Sequence, residues 1–83
     1  MKGFKIIQIV GRERLEQNAP CYEVVVYVTT DCEDVDILSA DDLNGPYYKE
    51  AAYDLLKDNG YDVPESSNDF MMLDNVSFQM DRD

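Results

Sequence analysis

The 83-residue chain carries 18 acidic and seven basic residues, and its net charge of −11 argues against direct binding to nucleic acid, which depends on Lys and Arg. Domains usually contain about 100 to 200 residues, so residues 1–83 are expected to form a single acidic domain with one core. The hydrophobic fraction of 45%, with neither an apolar run of about 18 residues nor a secretion signal, predicts a folded cytoplasmic protein and not a disordered tail or a membrane protein.

The first half of the chain contains two predicted strands. Residues 4–10 (FKIIQIV) are rich in β-branched side chains and end at Gly11. Residues 12–20 are polar and close with a Pro, so they are predicted to be a connecting loop, in which residues 12–17 could hold a helical turn. Residues 21–30 (CYEVVVYVTT) are the strongest strand, and their even positions are apolar, which predicts the core face: Tyr22, Val24, Val26 and Val28.

An acidic run follows, and we expect it to be a solvated loop with a short helical turn. Ser39 and Asp42 have the spacing of a capping box in which Asp replaces the usual Glu.

The main helix is predicted at residues 47–58. Pro46 suits the first helical position, and Asn59-Gly60 provides a left-handed C-terminal stop. The spacing predicts a buried stripe made of Tyr48, Ala51, Ala52 and Leu55, with Leu56 at its margin.

Residues 70–80 (FMMLDNVSFQM) are predicted to form either one irregular strand or two short ones that turn at Asp74-Asn75. The resulting fold class is α+β, with a small antiparallel sheet of three or four strands packed against one main helix.

The negative charge is unevenly distributed along the chain. Residues 1–14 have a balance of +3, and residues 15–83 have a balance of −14. Six carboxylates without a base lie within twelve residues: Asp31, Glu33, Asp34, Asp36, Asp41 and Asp42. Glu50, Asp54 and Asp58 recur at every fourth position of the predicted helix. Solubility requires a net charge of only about 2 to 8 in magnitude, so the surplus indicates a basic binding partner.

The sequence lacks the groups that most enzymes and metal sites use. Without His, the chain cannot form Ser-His or Cys-His pairs, and its four Gly residues form no phosphate-binding motif. Cys21 and Cys32 would lie roughly 30 Å apart along an extended strand, so both are expected to be free thiols. The acidic run does not match a calcium-binding loop, although weak binding of divalent cations stays open. We therefore expect a protein without catalytic activity, cofactor or metal.

Tyrosines add apolar contact area to the predicted binding surface. Tyr22 and Tyr48 are assigned to the core, whereas Tyr27, Tyr47, Tyr53 and Tyr61 are expected to be more exposed. The candidate partner-binding residues are therefore the six carboxylates of the acidic run together with four residues of the helix: Asp31, Glu33, Asp34, Asp36, Asp41, Asp42, Glu50, Tyr53, Asp54 and Asp58.

Carboxylates on the predicted helix would be separated by about 6 Å, close to the interval between phosphates along a DNA strand. In size, acidity and α+β layout the whole chain resembles the small phage-encoded anti-CRISPR proteins that mimic DNA, with no shared motif. The resemblance implies an inhibitor, in the cytoplasm of an infected bacterial cell, that blocks the nucleic-acid-binding site of a CRISPR effector or a similar defence nuclease.

Two other hypotheses stay open. The protein could be an acidic antitoxin, immunity-type protein or adaptor that binds a basic protein through a Tyr-rich patch. It could also be a metal-dependent or catalytic domain, which Ca²⁺-induced stabilisation would reveal. The sequence leaves the oligomeric state undetermined.

Overall fold

The computed structural model describes residues 1–81 as a four-stranded mixed sheet with two helices on one face. The elements in chain order are β1 (Phe4–Glu16), β2 (Ala19–Thr30), β3 (Val35–Leu43), α1 (Tyr48–Asp58), α2 (Ser67–Met71) and β4 (Val76–Asp81). The strand order is β3-β2-β1-β4. The prediction of a small α+β fold with one main helix is confirmed.

The prediction of an entirely antiparallel sheet is wrong, because β4 pairs with β1 in parallel. The segment that contains α1 and α2 carries the chain from the β3 edge to the opposite edge of the sheet. A connection of this length allows the last strand to run in the same direction as its neighbour, which a tight turn does not.

β1 and β2 form a long hairpin in place of the loop predicted at residues 12–20. Gln17 and Asn18 occupy the turn with φ values of 51° and 66°, as a two-residue hairpin turn requires. Pro20 lies opposite Leu15 near the tip. The Pro therefore begins a strand and does not interrupt one.

β3 occupies residues that were predicted to be a solvated loop with a helical turn. Ser39 pairs with Val25 inside the ladder, so it does not cap a helix. Asp42 has a φ of 53° and lies where the register shifts between Tyr22 and Val24. Leu38 and Ala40 are half-buried against the core. Their alternation with exposed residues is the strand signal that the density of carboxylates concealed.

The core lies between the sheet and the helices. Val24, Val26 and Val28 are fully buried and Tyr22 packs beside them, which confirms the predicted core face of β2. The buried stripe of α1 is rotated from the predicted one: Tyr48, Ala52, Tyr53 and Leu56 are buried, whereas Ala51 and Leu55 are half-buried. The helix ends at Asp58, and Gly60 in the turn that follows has the expected positive φ of 82°.

Gly11 permits close packing between α1 and the sheet. A Cβ atom at this position would lie 2.8 Å from the Tyr48 ring and 3.0 Å from Met80 Sδ. We expect Gly11→Ala to lower the free energy of unfolding by about 1–3 kcal/mol through overpacking, measured by urea denaturation. In a Tyr48→Ala background the same change should cost much less, and an equal loss in both backgrounds would contradict the role assigned to the ring.

The C-terminal part combines a helix and a strand. The predicted turn at Asp74-Asn75 is confirmed, but residues 70 and 71 belong to α2 and not to a strand. Phe70 is fully buried. None of the helices within residues 1–81 is both long enough and apolar enough to cross a bilayer.

Candidate partner-binding surface

The predicted acidic run is divided by β3 into two groups. Asp31, Glu33 and Asp34 lie in the turn before β3, and Asp41 and Asp42 lie at its other end. At about 3.3 Å per residue, the strand separates Asp34 from Asp41 by about 23 Å. The six carboxylates thus form an extended series and not one cluster.

The turn between β2 and β3 is short and hydrogen-bonded. The backbone N–H of Thr30 donates to the carbonyl of Asp34 over 2.8 Å, and that of Glu33 donates to the carbonyl of Thr30 over 3.0 Å. Glu33 has a φ of 67° and forms an ion pair with Lys5 at 3.2 Å. Asp31 and Asp34 are exposed in the same turn. The ordered turn therefore holds these carboxylates at one end of the sheet.

Asp36 lies on the helix-bearing side of β3 and is half-buried. Its carboxylate accepts a hydrogen bond of 2.5 Å from the hydroxyl of Tyr61, a residue that is only 4% exposed. Burial, and then the hydrogen bond and negative charge of Asp36, raise the pKa of Tyr61 to about 12. This contact joins the segment after α1 to the edge strand, and the sequence did not predict it.

The Tyr61 hydroxyl makes stability depend on pH in the alkaline range. The pKa of Tyr61 is raised from 10.0 to about 12 on folding. The contribution of the protonated hydroxyl to the free energy of unfolding is therefore complete below pH 10 and is lost as the pH rises through about 12. We expect the melting temperature of wild type to fall more steeply over this range than that of Tyr61→Phe. Tyr47→Phe, which removes an exposed hydroxyl, is the matched control and should keep the wild-type slope. Equal slopes for wild type and Tyr61→Phe would contradict the assignment.

Asp41 and Asp42 are exposed and lie close to Cys21 at the other end of β3. Burial, the charge and hydrogen bond of Glu16, and the charge of Asp42 raise the pKa of the Cys21 thiol. A thiol that stays protonated is a poor nucleophile. Cys21 and Cys32 are both free, as predicted.

The two lysines of α1 each lie over an aromatic ring, whereas its three carboxylates face solvent. The Lys49 ammonium lies 5.2 Å from the Phe78 ring centroid on the β4 side, and Lys57 lies 5.3 Å from the centroid of Tyr53. Glu50, Asp54 and Asp58 are exposed. With about 100° between successive side chains, they follow one another along the side of the helix opposite the buried Tyr48, Ala52 and Leu56, which faces solvent and is turned away from the sheet.

We group seven of these carboxylates under the name acidic flank. It consists of residues from β3, the turn before it and α1: Asp34, Asp36, Asp41, Asp42, Glu50, Asp54 and Asp58. α1 begins near Gly11, where Tyr48 packs, and ends near Asp36, which binds Tyr61. The helix therefore crosses the face of the sheet from β1 towards β3.

The basic side chains within residues 1–81 form their ion pairs with acids outside the acidic flank. Lys5 pairs with Glu33, whereas Arg12 and Arg14 pair with acids outside the flank: Glu16, Glu23 and Asp81. The Lys2 ammonium lies 5.0 Å from the Tyr61 ring centroid. Within residues 1–81, no acidic-flank carboxylate has an ion pair with Lys or Arg. Its negative charge is thus available to a partner.

Tyr53 is not part of this surface, contrary to the prediction. Its side chain is 7% exposed, packs on Phe70 and donates a hydrogen bond to the carbonyl of Pro64. Tyr61 is also buried. Tyr47 is exposed and Tyr27 is half-buried, so the expected patch of four tyrosines does not form. Both buried rings carry a hydroxyl that finds an internal acceptor, which allows Tyr to lie in a core.

Asp31 lies in the same depression as Asp62, a residue that the sequence analysis did not assign to the binding surface. Asp31 and Asp62 line an open depression at the end of the sheet together with Val63, Pro64 and Leu73. Their separation in sequence hides this proximity. Within the part of the chain that the structure describes, no three His, Cys, Asp or Glu side chains are arranged to hold a metal ion.

Comparisons with protein-family models, curated proteins and solved structures found no significant match.

Proposed function

We propose that this protein is an inhibitor that presents a DNA-mimicking surface to the nucleic-acid-binding site of a CRISPR effector or a similar defence nuclease. The acidic flank is the surface, with Asp31 and Glu33 extending it at one end. The observation that carries the proposal is that, within residues 1–81, the carboxylates of the acidic flank have no ion pair with Lys or Arg and that all of them except Asp36 are exposed.

The carboxylates of the acidic flank lie in two rows. From Asp34 to Asp42, β3 spans about 26 Å and carries four carboxylates, whereas Glu50, Asp54 and Asp58 follow one another on α1 at about 6 Å. Each row therefore has roughly one charge per 6 to 7 Å, compared with about one per 3.4 Å of helix axis for each strand of duplex DNA. A cleft lined by Lys and Arg to accept DNA would meet about half the charge density of a DNA strand along each row.

The net charge also favours rapid association with such a cleft. A domain of charge −11 is steered towards a positive surface, and association rates rise by about 10- to 1,000-fold at low salt. Because α1 and the strands fix the carboxylates, binding does not require a disordered segment to become ordered. In this proposal the protein acts by occupying the site without catalysing a reaction, in the cytoplasm of a bacterial cell.

The proposal is tested in two steps. The tagged protein is incubated with a bacterial lysate at low salt, and proteins released by a salt gradient are identified by mass spectrometry. The captured nuclease is then purified, and its binding to DNA is measured with the inhibitor added either before or after the DNA. We expect loss of DNA binding when the inhibitor is added first and protection when the DNA is bound first.

Two results would contradict the proposal. One is that the captured proteins have no nucleic-acid-binding activity. The other is a ternary complex in which the nuclease holds the inhibitor and its DNA together, since a mimic of DNA must compete with DNA for one site.

A further inference from the structure

The sheet has a second face, turned away from the helices, that carries a different kind of surface. Its centre is apolar and is formed by Ile6, Val10, Val25, Tyr27, Val35 and Ile37. Uncharged polar residues complete it: Gln8, Thr29, Ser39, Ser77 and Gln79. We call these residues the open face. Within residues 1–81, no helix or strand covers it.

The absence of charge on the open face is unexpected for this chain. Charged residues make up 30% of the sequence, but on this side of the sheet the register places Arg12, Glu23 and Asp81 beyond Val10, Val25 and Gln79, so these charges lie at one end and the centre has none. At the end of the open face, Arg12 is paired with Glu23 at 3.8 Å and with Asp81 at 3.0 Å, so the adjoining charges neutralise one another. The open face is thus a neutral surface on a strongly acidic protein.

Its exposed side chains are larger and more apolar than solubility requires. Ile37 is 61% exposed, and Ile6 and Val35 are also exposed. Together with the half-buried Tyr27, they form a contiguous apolar patch, which on soluble proteins marks an interaction site. The stiff ring of Tyr27 lies between Gln8 and Ile37, near the centre.

Charge complementarity decides which partner fits. A basic protein would find no carboxylate here, and an anionic membrane would repel a protein of charge −11. A second copy of the chain must also overcome mutual repulsion, and it can do so only through a surface that is itself uncharged. We propose that the open face is the contact between two copies of this protein.

The area of the open face suits a weak dimer. Neighbouring strands are about 4.8 Å apart, and successive side chains on one face of a strand are about 6.6 Å apart. Four strands with three rows of side chains therefore cover a projected area of roughly 400 Å². Two rough faces of this size bury on the order of 1,000 Å² of accessible surface, the lower limit for a specific interface. A dissociation constant in the micromolar range is therefore expected. In such a dimer the acidic flanks remain outside the contact.

Analytical ultracentrifugation tests this inference on the full chain. Samples from about 10 μM to about 1 mM bracket the expected dissociation constant. Raising the salt from about 0.15 M to about 1 M shortens the screening length from about 8 Å to about 3 Å, so the dimer should become tighter. Binding through the acidic flank would weaken under the same change, which separates this inference from the proposed function.

A matched pair of variants locates the contact. Ile37→Glu places a charge in the open face, and we expect it to raise the dissociation constant by at least about 100-fold. Leu15→Glu makes the same chemical change at an apolar strand residue that is 78% exposed and lies on the other side of the hairpin, so it should leave dimerisation unchanged. Circular dichroism must show that both variants keep the wild-type fold.

The inference is overturned if wild type sediments as a monomer at every concentration and salt. It is equally overturned if the two variants behave alike, or if salt dissociates the dimer.

Discussion

Reversing the charge of Glu50, Asp54 and Asp58 to Lys together is expected to weaken binding to the captured nuclease by about 100- to 1,000-fold. Charge pairs across an interface are coupled by about 1.5 kcal/mol or more each, and each substitution turns an attraction into a repulsion. All three side chains are exposed, so no core contact is lost. The variant also exchanges repulsion between acids at i, i+4 for similar repulsion between bases, which leaves helix stability nearly unchanged.

The control variant carries the same change of net charge elsewhere. Glu65→Lys, Asp69→Lys and Asp74→Lys together also shift the charge by six, from −11 to −5, at exposed positions outside the acidic flank. This variant should bind with at most about 10-fold lower affinity, because it loses long-range steering but no direct contact. Affinity is measured by surface plasmon resonance over a series of salt concentrations. Equal losses for the two variants would mean that total charge, and not the acidic flank, governs binding.

Phe70→Ala is expected to have the largest effect on stability. Phe70 is fully buried, and its ring centroid lies 5.5 Å from that of Tyr53. Truncation should cost about 3–5 kcal/mol, a large part of the 5–15 kcal/mol that stabilises a typical domain. For a chain of this length, the melting temperature should fall on the order of 10–40 °C. The loss is expected to be large because α2 has only five residues and Phe70 is the one that is buried in the core.

Met72→Ala provides the comparison for this prediction. Met72 follows α2 directly but is 81% exposed, so its truncation should change the free energy of unfolding by less than about 0.5 kcal/mol. Both variants are measured by thermal and urea denaturation. A Phe70→Ala variant as stable as Met72→Ala would show that α2 contributes little to the core.

Short-range patterns predicted several parts of the fold correctly. The alternation in residues 21–30 identified β2 and its core face. The Pro and Gly flanking α1 bounded the helix within two residues, since it begins at Tyr48 and not at Pro46. Both depend on interactions between residues close in sequence. In contrast, β3 was missed because its carboxylates resemble a loop, although Leu38 and Ala40 have the spacing of a strand.

The candidate surface was likewise predicted only in part from the sequence. Its exposed carboxylates could be listed from composition and spacing, but the burial of Tyr53 could not, because that depends on an acceptor at Pro64 and on a helix, α2, that the pattern did not reveal. The contact between Tyr61 and Asp36 joins residues from separate elements, and no local signal marks it.

The residues alone establish that the protein is acidic, lacks His and contains one main helix, since these follow from composition and from the 3.6-residue period. The folded chain places the carboxylates at the two ends of β3 and on the solvent side of α1, and it leaves an uncharged patch on the sheet face opposite the helices. Both outcomes depend on the strand order β3-β2-β1-β4 and on its register. A shift of one residue in register would exchange the two faces of a strand, so pairing between distant segments sets where charge and apolar area lie.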